Sequence, residues 1–143
     1  MLKTIKNIIL TLISLLFILL IGTCTLGIIT QGVHGPYNEY NGFPAEGSDI
    51  YIYRPYPLYP IGGHSFKCSE ETYRDYVSKQ TDLSEIREVE KVSVYIPNHE
   101  KDSMERIQLT GDLLIASWQY TDQGRYFVYD KSSGTTYCYY HTR

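Results

Sequence analysis

LLIASWQYTDQGRYFVYDKSSGTTYCYY, residues 113–140, is the stretch on which the architecture turns. Its runs of aromatic and aliphatic residues are separated by Thr121-Asp122-Gln123-Gly124 and Lys131-Ser132-Ser133-Gly134, two polar clusters that end in glycine. Aromatic side chains suit a pleated, half-buried surface and such clusters form turns, so the spacing predicts a three-strand antiparallel meander. In the first run Leu114, Ala116, Trp118 and Tyr120 fall on one face at the strand period of two. The rhythm is that of one β-propeller blade, but the chain has no internal repeat from which to build a propeller.

Upstream of the meander, Val92, Val94 and Ile96 alternate with Ser93 and Tyr95 until Pro97-Asn98, which predicts a half-buried strand. A polar loop over residues 98–106 then leads to a short strand at Ile107-Gln108-Leu109, and Thr110-Gly111-Asp112 reads as a turn. Further back, Ser69 is a good N-cap, followed by Glu70 and Glu71 at the positive end of a helix dipole. The expected helix covers residues 70–79 and places Tyr73, Tyr76 and Val77 on one stripe. Asp82 and Glu85 are spaced as a second cap, for a short turn of helix over residues 81–85. Residues 48–53 form a β-branched and aromatic strand, and RPYPLYP, residues 54–60, should run extended because proline removes ladder donors. Ile61-Gly62-Gly63-His64 reads as a turn. The implied fold class is α+β: an antiparallel sheet of four to six short strands with one or two helices packed on it.

The N-terminal third reads differently. Residues 8–29, IILTLISLLFILLIGTCTLGII, hold no charge over 22 positions. A helix of that length reaches about 33 Å, against a hydrocarbon core of about 30 Å. Lys3 and Lys6 precede the run, and the next charged residue is Glu39, so the asymmetry predicts a cytoplasmic N-terminus and a periplasmic or extracellular body. A cleaved secretory signal also fits this grammar and would release the body by secretion. Retention is favoured because apolar character resumes at Leu26-Gly27-Ile28-Ile29 and the small-x-small alanine pattern is missing. The division that follows is an anchor over residues 1–30, a flexible Gly/Pro/Asn-rich tether over residues 31–47, and a domain over residues 48–143.

That body carries all 16 acidic residues and 11 of the 13 basic ones, hence −5 beside an anchor of +2. A mildly acidic domain without a Lys/Arg cluster argues against nucleic acid as a partner. All 15 tyrosines follow residue 36. Such rings furnish a sheet, or offer rigid contacts at low entropy cost. The candidate recognition surface is Tyr56, Tyr59, Tyr126, Tyr129, Tyr137 and Tyr139.

An oxidising location pairs Cys68 with Cys138 in a disulfide, closing a loop of about 70 residues for roughly 4 kcal/mol. His64-x-x-x-Cys68 with Cys138-x-x-His141 is the competing use of the same thiols, a loosely spaced zinc set. No cofactor motif and no catalytic motif is present. Ser103 stands where a zinc-protease helix starting at His99-Glu100 would need its second histidine, and no phosphate-binding glycine loop occurs. The expected function is a membrane-anchored binding or accessory domain that contacts another envelope or surface protein, a profile shared by inhibitors and immunity-type proteins. The alternatives are a small hydrolase using His64, His99 or His141 with nearby carboxylates, and a structural subunit of a membrane complex.

Overall fold

Period-two alternation and turn-forming clusters place seven strands among the described residues after the N-terminal helix, more than the four to six expected. The computed structural model describes residues 2–29, 31–55, 61–80 and 82–142 and, within the first helix, the side chains of residues 7 and 9–22. The chain divides into two compact units, Met1–Gln31 and Gly32–Arg143.

The first unit holds α1 (Leu2–Ile29). Its large apolar side chains from Ile9 to Ile21 are 51–69% exposed, so within this unit they cover no core. Among the described residues no helix is long and apolar enough to cross a membrane.

The second unit contains β1 (Gly32–Tyr37), β2 (Ser48–Arg54), β3 (Ile61–Lys67), α2 (Glu70–Ser78), β4 (Arg87–Asn98), β5 (Ser103–Tyr120), β6 (Gln123–Asp130) and β7 (Thr135–His141). All neighbours pair antiparallel, in the order β1-β2-β3-β7-β6-β5-β4. The meander is present as β5-β6-β7, and β4 adds to it at one side.

Several segments differ from expectation. Residues 31–47 are not a tether: β1 lies within them, and Tyr40 and Phe43 pack on the core. Gly62 and Gly63 stand inside β3 instead of in a turn, because close packing needs them there. A Cβ on Gly62 would collide with the Tyr140 hydroxyl, and one on Gly63 with the Cys138 carbonyl. The second helical turn is absent from residues 82–86. There the chain docks on β5, with Ser84 N donating to Ser117 O (2.8 Å) and Ser117 N to Ser84 Oγ (3.0 Å).

Residues paired across strands share a face of the sheet. One face carries the row Ile52, His64, Cys138, Phe127 and Ala116. Helix α2 covers this face. Ser69 caps it by accepting from Thr72 N at 3.1 Å, and its Tyr73 and Val77 are buried. The Tyr73 ring stacks on Tyr129 at 5.2 Å while its hydroxyl donates to Phe127 O at 3.0 Å, which satisfies the polar tip of a fully buried ring.

The opposite face is covered by the chain's own hairpin. Thr110-Gly111-Asp112 is no turn but a bulge inside the 18-residue β5. The register passes from Val89↔Leu113 to Lys91↔Thr110, so Gly111 and Asp112 together face Glu90. Gly111 has φ +124°, a conformation that side chains resist. The hairpin arm beyond it, residues 91–110, packs across the sheet. Val94 joins Ile115, Val128 and Tyr139 in a second core, with Met104, Ile107 and Leu109 beside them.

At the arm's tip Asp102, at φ +49°, accepts from Val33 N on edge strand β1 at 2.7 Å. This latch joins the arm to the far side of the sheet. Asp102→Gly keeps the positive φ free of strain and removes only the acceptor. It should lower unfolding stability by about 1 kcal/mol and speed hydrogen exchange at Val33 more than at the sheet centre, measured by native-state exchange.

Candidate functional site

The sheet end formed by the β5–β6 turn and the β7 terminus exposes aromatic rings on both faces. On the helix face Gly62, Tyr140, Arg125 and Trp118 are paired in one cross-strand row. The hydroxyl end of the Tyr140 ring lies over Gly62, whose missing Cβ makes the space. Tyr140 is 43% exposed, Trp118 36% and Tyr120, on the same face two residues beyond Trp118, 68%. Arg125 and Trp118 also border a hollow of about 240 Å³ with Asp82 and Leu83.

On the opposite face, rings gather around a recess of about 350 Å³ between arm and sheet. Tyr126 stacks on Tyr139 (4.7 Å, 11° between planes) and on His141 (5.8 Å, 20°). Both Tyr126 and His141 lean over Gly124, where a Cβ would come within 2.7 Å of Tyr126 Cε2 and 2.8 Å of His141 Nε2. Tyr95 enters from the arm, 5.6 Å from Tyr139. The hydroxyls are committed: Tyr126 donates to Gln119 Oε1 at 3.0 Å and Tyr139 to Ser93 O at 3.3 Å. His141 Nδ1 lies 3.1 Å from the Asp122 carbonyl, which can only accept, so Nδ1 carries the proton. Burial pushes the Tyr139 phenol up, which keeps it neutral, although the Arg106 guanidinium at the recess pulls the other way.

The tyrosines expected to form one recognition surface are thereby divided. Tyr126 and Tyr139 meet in the recess, and Tyr137 shares their face but is half-buried further along β7. Tyr129 is on the other side, buried against Tyr73 with its hydroxyl donating to Cys68 O at 3.2 Å. Tyr56 and Tyr59 lie outside the described residues. Arg106, Arg125, Trp118 and Tyr140 were not among the expected contacts. Their signal in the sequence is an exposed partner directly across the strand, which needs the register to be seen.

The disulfide is not formed: Cys68 and Cys138 are free thiols. The register explains why. His64 pairs with Cys138, whereas Cys68 N donates to Gly134 O at 2.9 Å, in the turn before β7 and four residues ahead of Cys138. At about 3.4 Å per residue the two Cα atoms are held roughly 13 Å apart, beyond the limit of about 7 Å for a bridge. Cys68 instead shares a 3.2 Å hydrogen bond with Thr136 Oγ1. Burial pushes both thiols up, so neither is an activated nucleophile.

The zinc set does not assemble either. His141 is three residues from Cys138 and so faces the other side of the sheet, and no group of three or more His, Cys, Asp or Glu among the described residues is placed to hold a metal. The histidines of the hydrolase reading are equally scattered. His99 stacks on Tyr51 at 5.8 Å near the arm's tip, His141 borders the recess, and His64 is half-buried beside Phe43 on the helix face. The chain matches no protein-family description, no curated protein and no solved structure.

Burial holds the His64 pKa down at about 4, and its Nε2 has no hydrogen-bond partner. The unfolded ring titrates near 6.5, so as pH falls from 6.5 to about 4 the unfolded chain takes up a proton that the folded ring refuses. Stability from this group should be complete above that window and decline through it by roughly 3 kcal/mol. His64→Leu should flatten the slope, read from urea midpoints at neutral pH and near the acid end of the window.

Proposed function

We propose that this chain is a membrane-anchored binding domain that acts by contact with another protein of the envelope or cell surface. The observation that carries the reading is the exposed row of Trp118, Arg125 and Tyr140, with Tyr120 beside it. Trp, Tyr and Arg are the residue types that dominate interface energetics, and here they share one face at one end of a rigid sheet. Gly62 supports the geometry, since it lets the hydroxyl end of the Tyr140 ring lie over the backbone of β3.

The anchor in this proposal is the uncharged run over residues 8–29, within helix α1, oriented by Lys3 and Lys6 toward a cytoplasmic N-terminus. The described side chains of α1 end at Gly22, whereas the run continues to Ile29. With the disulfide gone, location rests on this helix and its flanking charges alone.

Anchoring is tested by washing membranes that contain the full chain with alkaline carbonate. Retention in the pellet is expected, and release would remove the anchor from the proposal without touching the contact row. The row is tested by crosslinking in intact cells. The wild-type chain should return one stoichiometric partner, and Trp118→Ala with Arg125→Ala should cut its recovery about tenfold or more at equal abundance. Recovery that is unchanged by the double substitution, or repeated recovery of the chain alone, would overturn the reading.

A further inference from the structure

We infer that the recess between the hairpin arm and the sheet is a binding site for a small aromatic carboxylate, separate from the protein-contact row on the other face. Its walls come from both layers: Tyr95 and Arg106 from the arm, and Ile61, Tyr126, Tyr139 and His141 from the sheet. A volume of about 350 Å³ lies within the usual range for small-ligand pockets and accommodates a ring with a short side chain.

The chemistry of the lining selects the ligand. The two inner phenols already donate, Tyr126 to Gln119 and Tyr139 to the Ser93 carbonyl, so these rings offer flat and edge surfaces instead of spare hydroxyl donors. Aromatic rings favour offset or edge-to-face contact with another ring, and Tyr95 and Tyr139, tilted 60° to one another, already show that geometry. Among the described residues the lining contains no carboxylate, and Arg106 is its one guanidinium. Among the described residues Arg106 joins no salt bridge, so no acidic side chain occupies its guanidinium fork. An exposed guanidinium at the mouth of an aromatic recess, in a domain of net negative charge, is complementary to an anion. A planar carboxylate matches the guanidinium fork with two parallel hydrogen bonds. A phosphate, with close to two charges, would face a single cation.

The test uses the full chain in detergent, with phenylacetate as the probe and saturation-transfer NMR of its ring protons as the readout. Saturable binding is expected in the range of about 1 mM, and Arg106→Gln should weaken it about tenfold, with Arg106→Lys intermediate. Phenylacetamide, which keeps the ring without the charge, and acetate, which keeps the charge without the ring, should both bind at least about tenfold more weakly. Gly124→Val pushes Tyr126 and His141 from their stack and should abolish binding. Arg106 is exposed and carries no packing duty in the core, so its variants keep the test decisive if Gly124→Val does not fold. Equal binding of phenylacetate and phenylacetamide, or an unchanged affinity in Arg106→Gln, would overturn the inference, as would no saturation up to about 10 mM. Trp118→Ala should leave phenylacetate binding intact, so that failure of this site and failure of the protein-contact row are read separately.

Discussion

Gly111, at φ +124° within β5, lets two residues oppose Glu90 alone, and the arm beyond that bulge lies across the sheet. Without the bend, Val92, Val94, Ile107 and Leu109 would project past the last paired residue of β6, with no second layer to cover them. With it, one sheet has a core on each side: α2 and the segment around Phe43 cover one face, and the chain's own hairpin covers the other. The recess exists because the arm crosses this face without covering the end that carries Tyr126 and His141.

The parts legible in the sequence were those governed by local rules. The meander over residues 113–140 followed from two glycine-ended turns, and α2 from the Ser69 cap and the Tyr73/Tyr76/Val77 stripe, both of which act within a few residues. The misread parts were glycines with long-range duties. Gly62, Gly63 and Gly111 look like turn residues because glycine is the usual turn former. Their actual neighbours, Tyr140, Met104 and the Cys138 carbonyl for the first two, are distant in sequence. Residues 31–47 were misread for a related reason: β1 owes its order to pairing with β2, not to any pattern of its own.

The candidate site was legible in composition but not in arrangement. An excess of tyrosine announced aromatic surfaces, yet strand parity decides which rings meet. Tyr126 and Tyr129 are an odd number apart on β6, so one joins the recess and the other the helix-side core. The cysteines failed in the same way. Even count and plausible compartment suggested a bridge, while register separates them along the strand direction by more than a disulfide can span. His64, directly opposite Cys138, is the residue that the helix-side core holds at an electrostatic cost. Its neutral ring is retained between Phe43 and Phe66 without a partner for Nε2.

The two outer strands bear on how this domain can be approached. A sheet edge normally offers its unpaired backbone groups to any passing strand, which is a route both to recognition and to aggregation. Here the Asp102 carboxylate occupies the Val33 amide on β1, and the Tyr139 hydroxyl occupies the Ser93 carbonyl on β4. Both plugs depend on the folded-back arm, one at its tip and the other along its length. The device that encloses the second core thus also narrows the grammar of recognition, disfavouring a guest strand zipped onto the backbone and leaving side-chain surfaces to discriminate between visitors.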